Sequence, residues 1–242
     1  MKPLITIITP TTGSEQLKQA CQSVWNQTYD NIEHLVVVDG PQYKASSFQI
    51  AGGSKSTMMY LPHNTGANNY NGHRIYGAMT YIANGDFLVF LDQDNWFEPD
   101  HIESLVKVIE AGNDWAYSLR KIVSQEGQYI CNDDCESLGE WKSVLNDNFI
   151  DVNCYMIPKA AALGFSPYWY RRARHPQEQP EVDRCLSQFM MHHYSEFDTN
   201  GQYSVNYRVA SRADSVQESF FIKGNEVMKK NMNGEYPWRK KI

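Results

Sequence analysis

Gly85-Asp-Phe-Leu-Val-Phe-Leu-Asp-Gln-Asp-Asn95 is the stretch around which the rest of the chain can be interpreted. Its five consecutive apolar residues, Phe87 to Leu91, predict a strand that is buried on both faces. Side chains alternate along a strand, so Asp92 and Asp94 are expected on the same side where the strand ends. Two carboxylates this close repel each other, and they suit a hard divalent cation with the phosphates it carries. A loop with solvated acids gives the same triplet, so the interpretation depends on the surrounding sequence.

Composition narrows the classes of protein to which the chain can belong. Its 242 residues are 42% hydrophobic with a net charge of -6, which suits one large domain or two small ones and argues against a nucleic-acid-binding protein. No apolar run approaches the ~20 residues of a membrane span. The start of the chain lacks signal-peptide features, and five scattered cysteines fit reduced thiols, so we expect a cytoplasmic protein. Cys131 and Cys135 lack the further ligand pair that a zinc site needs.

Strands and helices alternate in the first part of the predicted chain. Residues 4–9 and 34–38 are expected to be strands, joined by a helix that Ser14 caps and that runs to about Asn26. This order predicts a parallel pair, and ligands bind beyond the carboxyl ends of strands in such sheets. The residues at those ends are polar or acidic, namely Thr9, Thr11, Asp39, Asp92 and Asp94.

The middle of the chain continues the pattern. Residues 42–55 are polar and predict a loop or a weak edge strand, whereas residues 57–61 predict a third strand. Residues 64–72 are rich in Asn and Gly, which suits a close backbone approach to a ligand. Helices are expected from about residue 73 to 83 and after Asp100, followed by a strand over 115–123.

The later part has weaker periodicity. A strand within 148–157, a helix over 159–163 ended by Gly164 and a loop over 168–175 are expected there. Pro180 opens a clear helix pattern, in which Glu181 and Asp183 are each stabilised by up to ~1 kcal/mol by the helix dipole. A strand over 203–208, a helix over 219–231 and a loose basic tail over 238–242 follow, and the tail is a candidate contact for an anionic membrane surface.

Four segments in this order resemble the family 2 glycosyltransferases, whose nucleotide-sugar-binding fold is called GT-A. They are Ile5-Thr-Ile-Ile-Thr-Pro-Thr11, Leu35-Val-Val-Val-Asp-Gly40, residues 83–95 and Glu181-Val-Asp-Arg-Cys-Leu186. The resemblance is strong over residues 3–110 and thinner to about residue 215. It implies an α/β fold with a mostly parallel, Rossmann-like sheet flanked by helices.

The domain organisation follows from the same resemblance. We expect a single GT-A domain over residues 1–242. Its nucleotide-sugar-binding half would be 1–110, its smaller acceptor and catalytic half 111–215, and its C-terminal helix and tail 216–242.

The resemblance also implies site residues. Asp183 stands at the position of the catalytic base, and Glu181 is a rival because Val182 separates two acids that are often adjacent in the family. Asp94 would hold Mn²⁺ or Mg²⁺, whereas Asp92 would assist through water or hold the ribose. The other candidates for binding the nucleotide-sugar donor are Thr9, Pro10, Thr11, Asp39 (on the base), Arg74 (on phosphate or base) and Gln93.

Some family features are missing or open. Tyr207-Arg208 is not followed by the histidine that many members carry, so no third protein ligand to the metal is assigned. His192 and His193 fit packing or capping roles better. Trp96 and residues 168–170 are candidates for stacking on the acceptor sugar, although core packing also explains aromatic residues.

The implied reaction is the inverting transfer of a sugar from a UDP-linked or other nucleoside-diphosphate donor. The acceptor would be a hydroxyl of a saccharide or glycoconjugate, as in polysaccharide biosynthesis. Asp183, which the helix start is expected to keep ionised at pH 7, would take the hydroxyl proton, a step worth ~100- to 10,000-fold in rate.

Two other functions are compatible with the general fold. A sugar nucleotidyltransferase needs a Gly-rich, basic loop after the first strand, and residues 10–14 contain neither Lys nor Arg. A non-catalytic nucleotide-sugar-binding module would keep the fold without turnover.

Overall fold

The computed structural model describes residues 2–51, 55–68, 70–170, 182–209 and 215–239. The strands in these ranges are β1 (Ile5–Thr11), β2 (Ile32–Val38), β3 (Thr57–Tyr60), β4 (Phe87–Phe90), β5 (Trp96–Phe97), β6 (Trp115–Val123), β7 (Tyr129–Asn132), β8 (Tyr155–Pro158) and β9 (Phe197–Arg208). The helices are α1 (Leu17–Trp25), α2 (Lys44–Ala51), α3 (His73–Ile82), α4 (His101–Glu110), α5 (Lys159–Phe165), α6 (Val182–His193) and α7 (Glu218–Asn231).

The strands form one sheet in the order β3-β2-β1-β4-β8-β6-β9-β5, with β7 paired to β6. The first half is parallel, because β1 pairs with β2 and β4 and β2 pairs with β3. β8 is antiparallel to β4 and β6, whereas β9 runs parallel to β6 along most of its length. Parallel pairs supply most of the ladder, which confirms the predicted α/β fold with a mostly parallel sheet.

β4 lies between β1 and β8 in the middle of the sheet. Leu88, Val89 and Phe90 have no exposed surface, so the continuous apolar run forms a doubly buried strand as predicted. Leu91 follows the strand and is also buried, and its N–H donates to the carbonyl of Ile8 on β1. The backbone therefore enters the acidic triplet from a rigid, fully packed position.

Several expected boundaries are wrong. α2 forms where a loop or weak edge was expected, because Ala51 at its end packs in a small cluster with Val36 of β2 and Leu17 and Cys21 of α1. α1 begins at Leu17, later than expected, although the Ser14 hydroxyl still accepts the N–H of Gln16 at 3.3 Å just before the helix. The strand expected over 148–157 shortens to β8, because Val152–Cys154 forms a 3₁₀ helix whose N-terminus is capped by the Asp151 side chain.

The segments around the predicted aromatic loop and the tail also differ from expectation. Ser166–Tyr170 is a 3₁₀ helix with Trp169 buried, and α5 continues through Gly164. Trp238 is fully buried and its indole N–H donates to Asp134 Oδ1 at 2.8 Å, so the tail is not loose at this position. Residues 171–175 and 240–242 lie outside the described ranges. Within those ranges, none of the helices combines the length and the apolar character that crossing a membrane requires.

Candidate functional site

A cleft of about 610 Å³ lies beyond the carboxyl ends of β1, β2 and β4. Four of its lining residues are acids that come from three distant parts of the chain, namely Asp39, Asp92, Asp94 and Asp183. The predicted residues Pro10, Thr11 and Gln93 line the same cleft. Among the described lining residues the basic side chains are His73 and Arg208, so acids outnumber basic groups.

Asp92 is anchored from two sides. Its Oδ1 accepts a 2.7 Å hydrogen bond from the hydroxyl of Tyr76, and its Oδ2 accepts one of 3.0 Å from Asn153 Nδ2. Asn153 Oδ1 in turn accepts the backbone N–H of Asp92 at 2.7 Å. Burial, and then the neighbouring charge of Asp94, raise the pKa of Asp92 to about 6. Both carboxylate oxygens of Asp92 are therefore engaged within the protein.

Asp94 is half-buried in the cleft wall, and its backbone is held by the end of β9. Arg208 Nε donates to the carbonyl of Asp94 at 3.0 Å, and the backbone N–H of Arg208 donates to Asn95 Oδ1 at 2.9 Å. The guanidinium also lies over the ring of Trp96, 5.1 Å from its centroid. The Tyr207-Arg208 pair was noted from the sequence, but no role in the site was predicted for Arg208.

Gln93 connects the acidic triplet to the turn after β1. Its Oε1 accepts the hydroxyl of Thr11 at 2.7 Å and the N–H of Thr12 at 3.0 Å. Its Nε2 donates to the hydroxyl of Thr12 at 3.2 Å. The two polar strand ends predicted from sequence are thus held in one arrangement, with Gln93 between them.

Asp39 organises the Asn-rich loop at the other edge of the cleft. Its Oδ1 accepts the N–H and the hydroxyl of Thr65 at 2.6 and 2.8 Å, and its Oδ2 accepts the N–H of Gly66 at 2.8 Å. A Cβ at Gly66 would lie 2.3 Å from the carbonyl oxygen of Asn71 and 2.9 Å from Asp39 Oδ2. Only glycine allows this approach.

Two predicted donor-binding residues lie outside the cleft lining. Thr9 is fully buried, and its hydroxyl is hydrogen-bonded to His34 Nε2 at 3.0 Å. Its side chain therefore stabilises the packing between β1 and β2. Arg74 points to the loop instead, where it donates to the carbonyl of Thr65 at 3.3 Å and lies 3.5 Å from the centroid of the Tyr70 ring. Arg74 supports the segment that Asp39 holds.

Asp183 lies in the first turn of α6 and faces the cleft. Its side chain is 34% exposed, yet its Oδ1 is buried and has no hydrogen-bond partner within the described ranges. Burial is the main cause that raises the pKa of Asp183 to about 8, and the negative charges of Asp151 and Asp92 add to it. This shift runs opposite to the expectation that the helix start keeps the carboxyl ionised at pH 7. Glu181, its rival, lies outside the described residues.

A buried ionic network lies beneath the acids. Arg120 has almost no exposed surface, and it pairs with Asp133 at 2.8 Å, with Glu136 at 2.6 Å and with Asp151. Asp151 Oδ1 accepts from Asn153 Nδ2 at 2.8 Å, and Asn153 also holds Asp92. None of these residues was predicted from sequence, because they come from segments without a recognisable motif.

The aromatic candidates for sugar stacking are largely committed to packing. Trp169 is buried among Tyr76, Phe90 and Phe165. Trp96 is covered by Arg208, and Tyr168 stacks on Phe165 with centroids 5.2 Å apart. None of Trp96, Tyr168, Trp169 and Tyr170 is part of the described lining of the cleft.

Asp94 is the carboxylate of the cleft that could hold a hard divalent cation. In the described residues, no group of three or more His, Cys, Asp or Glu side chains is placed to hold a metal ion. Mg²⁺ commonly uses one or two carboxylates and completes its shell with phosphate oxygens and water. Asp94 supplies a carboxylate of this kind, and a divalent cation on it would offset part of the negative charge of the acids in the cleft.

Solved structures share this fold. S. aureus TarS 1-349 in complex with UDP-GlcNAc has a TM-score of 0.62 and 12% identity, over 95% of this chain and 66% of that one. The mannosyltransferase PcManGT from Pyrobaculum calidifontis, in complex with GDP-Man and Mn²⁺, has a TM-score of 0.59 and 12% identity, over 88% and 59% of the two chains. At this identity the likeness concerns the fold alone, and it confirms the expected GT-A arrangement.

Sequence relatives are glycosyltransferases. An uncharacterized glycosyltransferase of Rickettsia typhi is 29% identical over 108 residues, which are 44% of this chain and 32% of that protein. Glycosyltransferase GlyA of Streptococcus pneumoniae is 29% identical over 116 residues, which are 43% of this chain and 15% of that protein. The match thus spans a third or less of these curated relatives. The model of glycosyl transferase family 2 matches residues 6–163, more than half of the chain, and the chain therefore belongs to that family.

Proposed function

We propose that the chain transfers a sugar from a UDP-linked donor to a hydroxyl of an acceptor. The acceptor would be a saccharide or glycoconjugate, and the transfer would invert the configuration at the anomeric carbon. The observation that carries this proposal is the convergence of Asp39, Asp94 and Asp183 on one cleft beyond the strand ends. Structural neighbours that contain UDP, UDP-GlcNAc and GDP-Man support a nucleotide-sugar donor.

In the proposed donor site each residue has a distinct task. The turn after β1 and the loop that Asp39 holds would bracket the base and ribose, and Gln93 keeps that turn fixed relative to Asp94. Mn²⁺ or Mg²⁺ on Asp94 would neutralise the charge of the leaving diphosphate. Asp92 would contribute through water or to the ribose, because both of its oxygens already accept protein hydrogen bonds.

Asp183 would act as the general base. As the acceptor oxygen attacks the anomeric carbon, its proton passes to the carboxylate, the bond from that carbon to the diphosphate breaks, and the nucleoside diphosphate leaves. The raised pKa of Asp183, about 8, would make its carboxylate a stronger base than that of an ordinary Asp. One attack from the face opposite the leaving group inverts the configuration.

The test is a panel of nucleotide sugars, measured by calorimetric binding and by release of nucleoside diphosphate, with Mn²⁺ or with EDTA. We expect metal-dependent binding of one donor. Asp94→Ala should abolish the metal dependence, whereas the control Asp114→Ala, at an exposed position after α4, should leave it intact. Equal binding of every donor by wild type and Asp94→Ala, with and without metal, would contradict the site.

The role of Asp183 has its own variant. Asp183→Asn should bind the donor as wild type does and should transfer sugar ~100-fold or more slowly, because the proton acceptor is lost. Full-rate transfer by this variant would move the role of base to Glu181. Donor binding without any turnover by wild type would favour the non-catalytic module, and pyrophosphate release from a nucleoside triphosphate and a sugar phosphate would favour the nucleotidyltransferase.

Membrane contact through the basic end of the chain is a separate part of the proposal. Arg239 is paired with Asp134, so the contact would fall to the last residues, which include Lys240 and Lys241. Sedimentation with anionic vesicles, compared with a Lys240→Gln/Lys241→Gln variant, tests it. Equal sedimentation of both proteins would refute membrane contact through Lys240 and Lys241.

A further inference from the structure

His73 faces Asp183 across the cleft and has no role in the reaction described so far. It is the first residue of α3, and its Nε2 lies 3.6 Å from Asp183 Oδ1. Its side chain is 11% exposed. The separation exceeds a hydrogen bond by about half an ångström, and catalytic hydrogen bonds are often long before substrate binds.

The two facing side chains each contain a buried atom without a partner. Asp183 Oδ1 and His73 Nδ1 are both buried, and neither makes a hydrogen bond to any residue that the structure describes. A neutral imidazole has one N–H, and a proton on Nδ1 would be a buried donor without an acceptor. A proton on Nε2 faces the carboxyl of Asp183. On this ground we assign the proton to Nε2.

The imidazole is held in place and is uncharged. Its ring packs against Trp169, with centroids 5.5 Å apart, and the adjoining backbone is the beginning of α3. Burial lowers the pKa of His73 to about 4, and a helix N-terminus disfavours a positive charge in the same direction. His73 can therefore offer a fixed N–H at neutral pH without forming a permanent ion pair.

We propose that His73 is a positioning residue for Asp183, whose Nε2–H donates to Oδ1 when the carboxyl is ionised and so directs Oδ2 toward the acceptor hydroxyl. The inference deepens the proposed function and rests on it, because it takes Asp183 as the base. Oδ1 is buried although about a third of the Asp183 side chain is exposed, so the exposed surface belongs to the rest of the side chain.

The other groups around Asp183 are committed elsewhere. Tyr76 donates to Asp92, Tyr155 is hydrogen-bonded to Ser187, and both arginines nearby pair with Glu136. Within the described chain, the charged and titratable groups that face Asp183 are His73 and Tyr76 on α3, Asp92 after β4, Arg120 on β6, Asp151 before the 3₁₀ helix, Tyr155 on β8 and Arg184 on α6. Of these, His73 has the uncommitted donor.

The experiment compares three variants by the pH dependence of kcat/KM and by donor affinity. His73→Leu keeps the bulk and removes the donor, so the acidic limb of the profile should move up by about one pH unit or more. His73→Asn, whose amide is too short to reach the place of Nε2, should behave like His73→Leu. His73→Gln places an N–H near Nε2 and should restore the limb to within about 0.3 unit of wild type. The Kd for the donor should change less than about twofold in all three.

Each outcome decides the inference. A His73→Leu or His73→Asn profile that superimposes on wild type overturns it, and so does a loss of donor affinity as large as the loss of rate. The inference is also overturned if His73→Asn shifts the acidic limb of the pH profile and His73→Gln does not restore that limb. Asp183→Asn distinguishes failure of the proposed function from failure of the role of His73. If Asp183→Asn transfers sugar at full rate, Asp183 is not the base. If Asp183→Asn loses rate but the pH profile of His73→Leu is not shifted, only the role of His73 is refuted.

Discussion

Gln93 and Thr11 lie 82 positions apart in the chain, and the side-chain oxygen of Gln93 accepts the hydroxyl of Thr11 at 2.7 Å. The same oxygen accepts the backbone N–H of Thr12. Gln93 stands between Asp92 and Asp94, so the turn after β1 and the acidic triplet share one fixed geometry. A donor that contacts both segments would depend on this hydrogen bond even without touching Gln93.

Gln93→Ala should therefore impair both folding and donor binding. Loss of the bonds to Thr11 and Thr12 should lower the free energy of unfolding by about 1–2 kcal/mol, and donor affinity should fall because the two segments separate. Urea denaturation and calorimetry measure these effects. Gln22→Ala, at an exposed position of α1, is the control and should stay within about 0.5 kcal/mol. Unchanged donor affinity in Gln93→Ala would show that the turn is held without Gln93.

Arg120→Met should destabilise the fold strongly. The substitution leaves Asp133, Glu136 and Asp151 buried without their shared cation, and removal of one member of such a set costs about 3–5 kcal/mol. The neighbouring Lys121→Met breaks a partly exposed pair with Glu98 and should cost about 1 kcal/mol or less. The midpoints of chemical denaturation give both values. Equal costs for the two variants would mean that the buried network contributes no more than a surface pair.

Trp238 provides a test of the C-terminal segment. Trp238→Ala should cost about 3–5 kcal/mol, because a fully buried indole and its hydrogen bond to Asp134 are lost. Trp238→Phe keeps most of the apolar volume and should cost less. Tyr81→Ala, whose side chain is exposed on α3, should stay within about 0.5 kcal/mol. A Trp238→Ala protein as stable as wild type would restore the expectation of a loose tail.

The features that sequence predicted are those determined by local pattern. The β-branched run of β1, the apolar run of β4 and the helical spacing in α4 each bury their residues in a way that a short window reveals. The carboxyl ends of β1, β2 and β4 meet at one edge of the sheet. The positions of Thr11, Asp39 and Asp94 in the cleft could therefore be predicted once these strands were located in the sequence.

The features that sequence missed depend on contacts between distant segments. Arg120 and Asp151 are 31 positions apart, and nothing in either segment indicates that they form a buried pair. Thr9 and Thr11 share a face of β1, yet Thr9 lies two residues inside the strand and is bonded to His34, whereas Thr11 ends the strand beside Gln93. The helix position of Asp183 predicted an ionised carboxylate, whereas its burial beside Asp92 and Asp151 has the larger and opposite effect.

Asp183→Asn should stabilise the protein in a pH-dependent manner. The pKa of Asp183 is about 8 in the folded protein and about 4 in the unfolded chain, so ionisation favours the unfolded chain. No penalty exists below pH 4; it grows as pH rises and is complete above pH 8. Because a third of the side chain reaches solvent, we expect a gain of about 1–2 kcal/mol for the variant at pH 8 and almost none at pH 4.5. Urea denaturation in EDTA at both values measures the difference, with Asp114→Asn as a control that should show no such trend. A gain that is equal at the two pH values would mean that the pKa of Asp183 is not raised by folding.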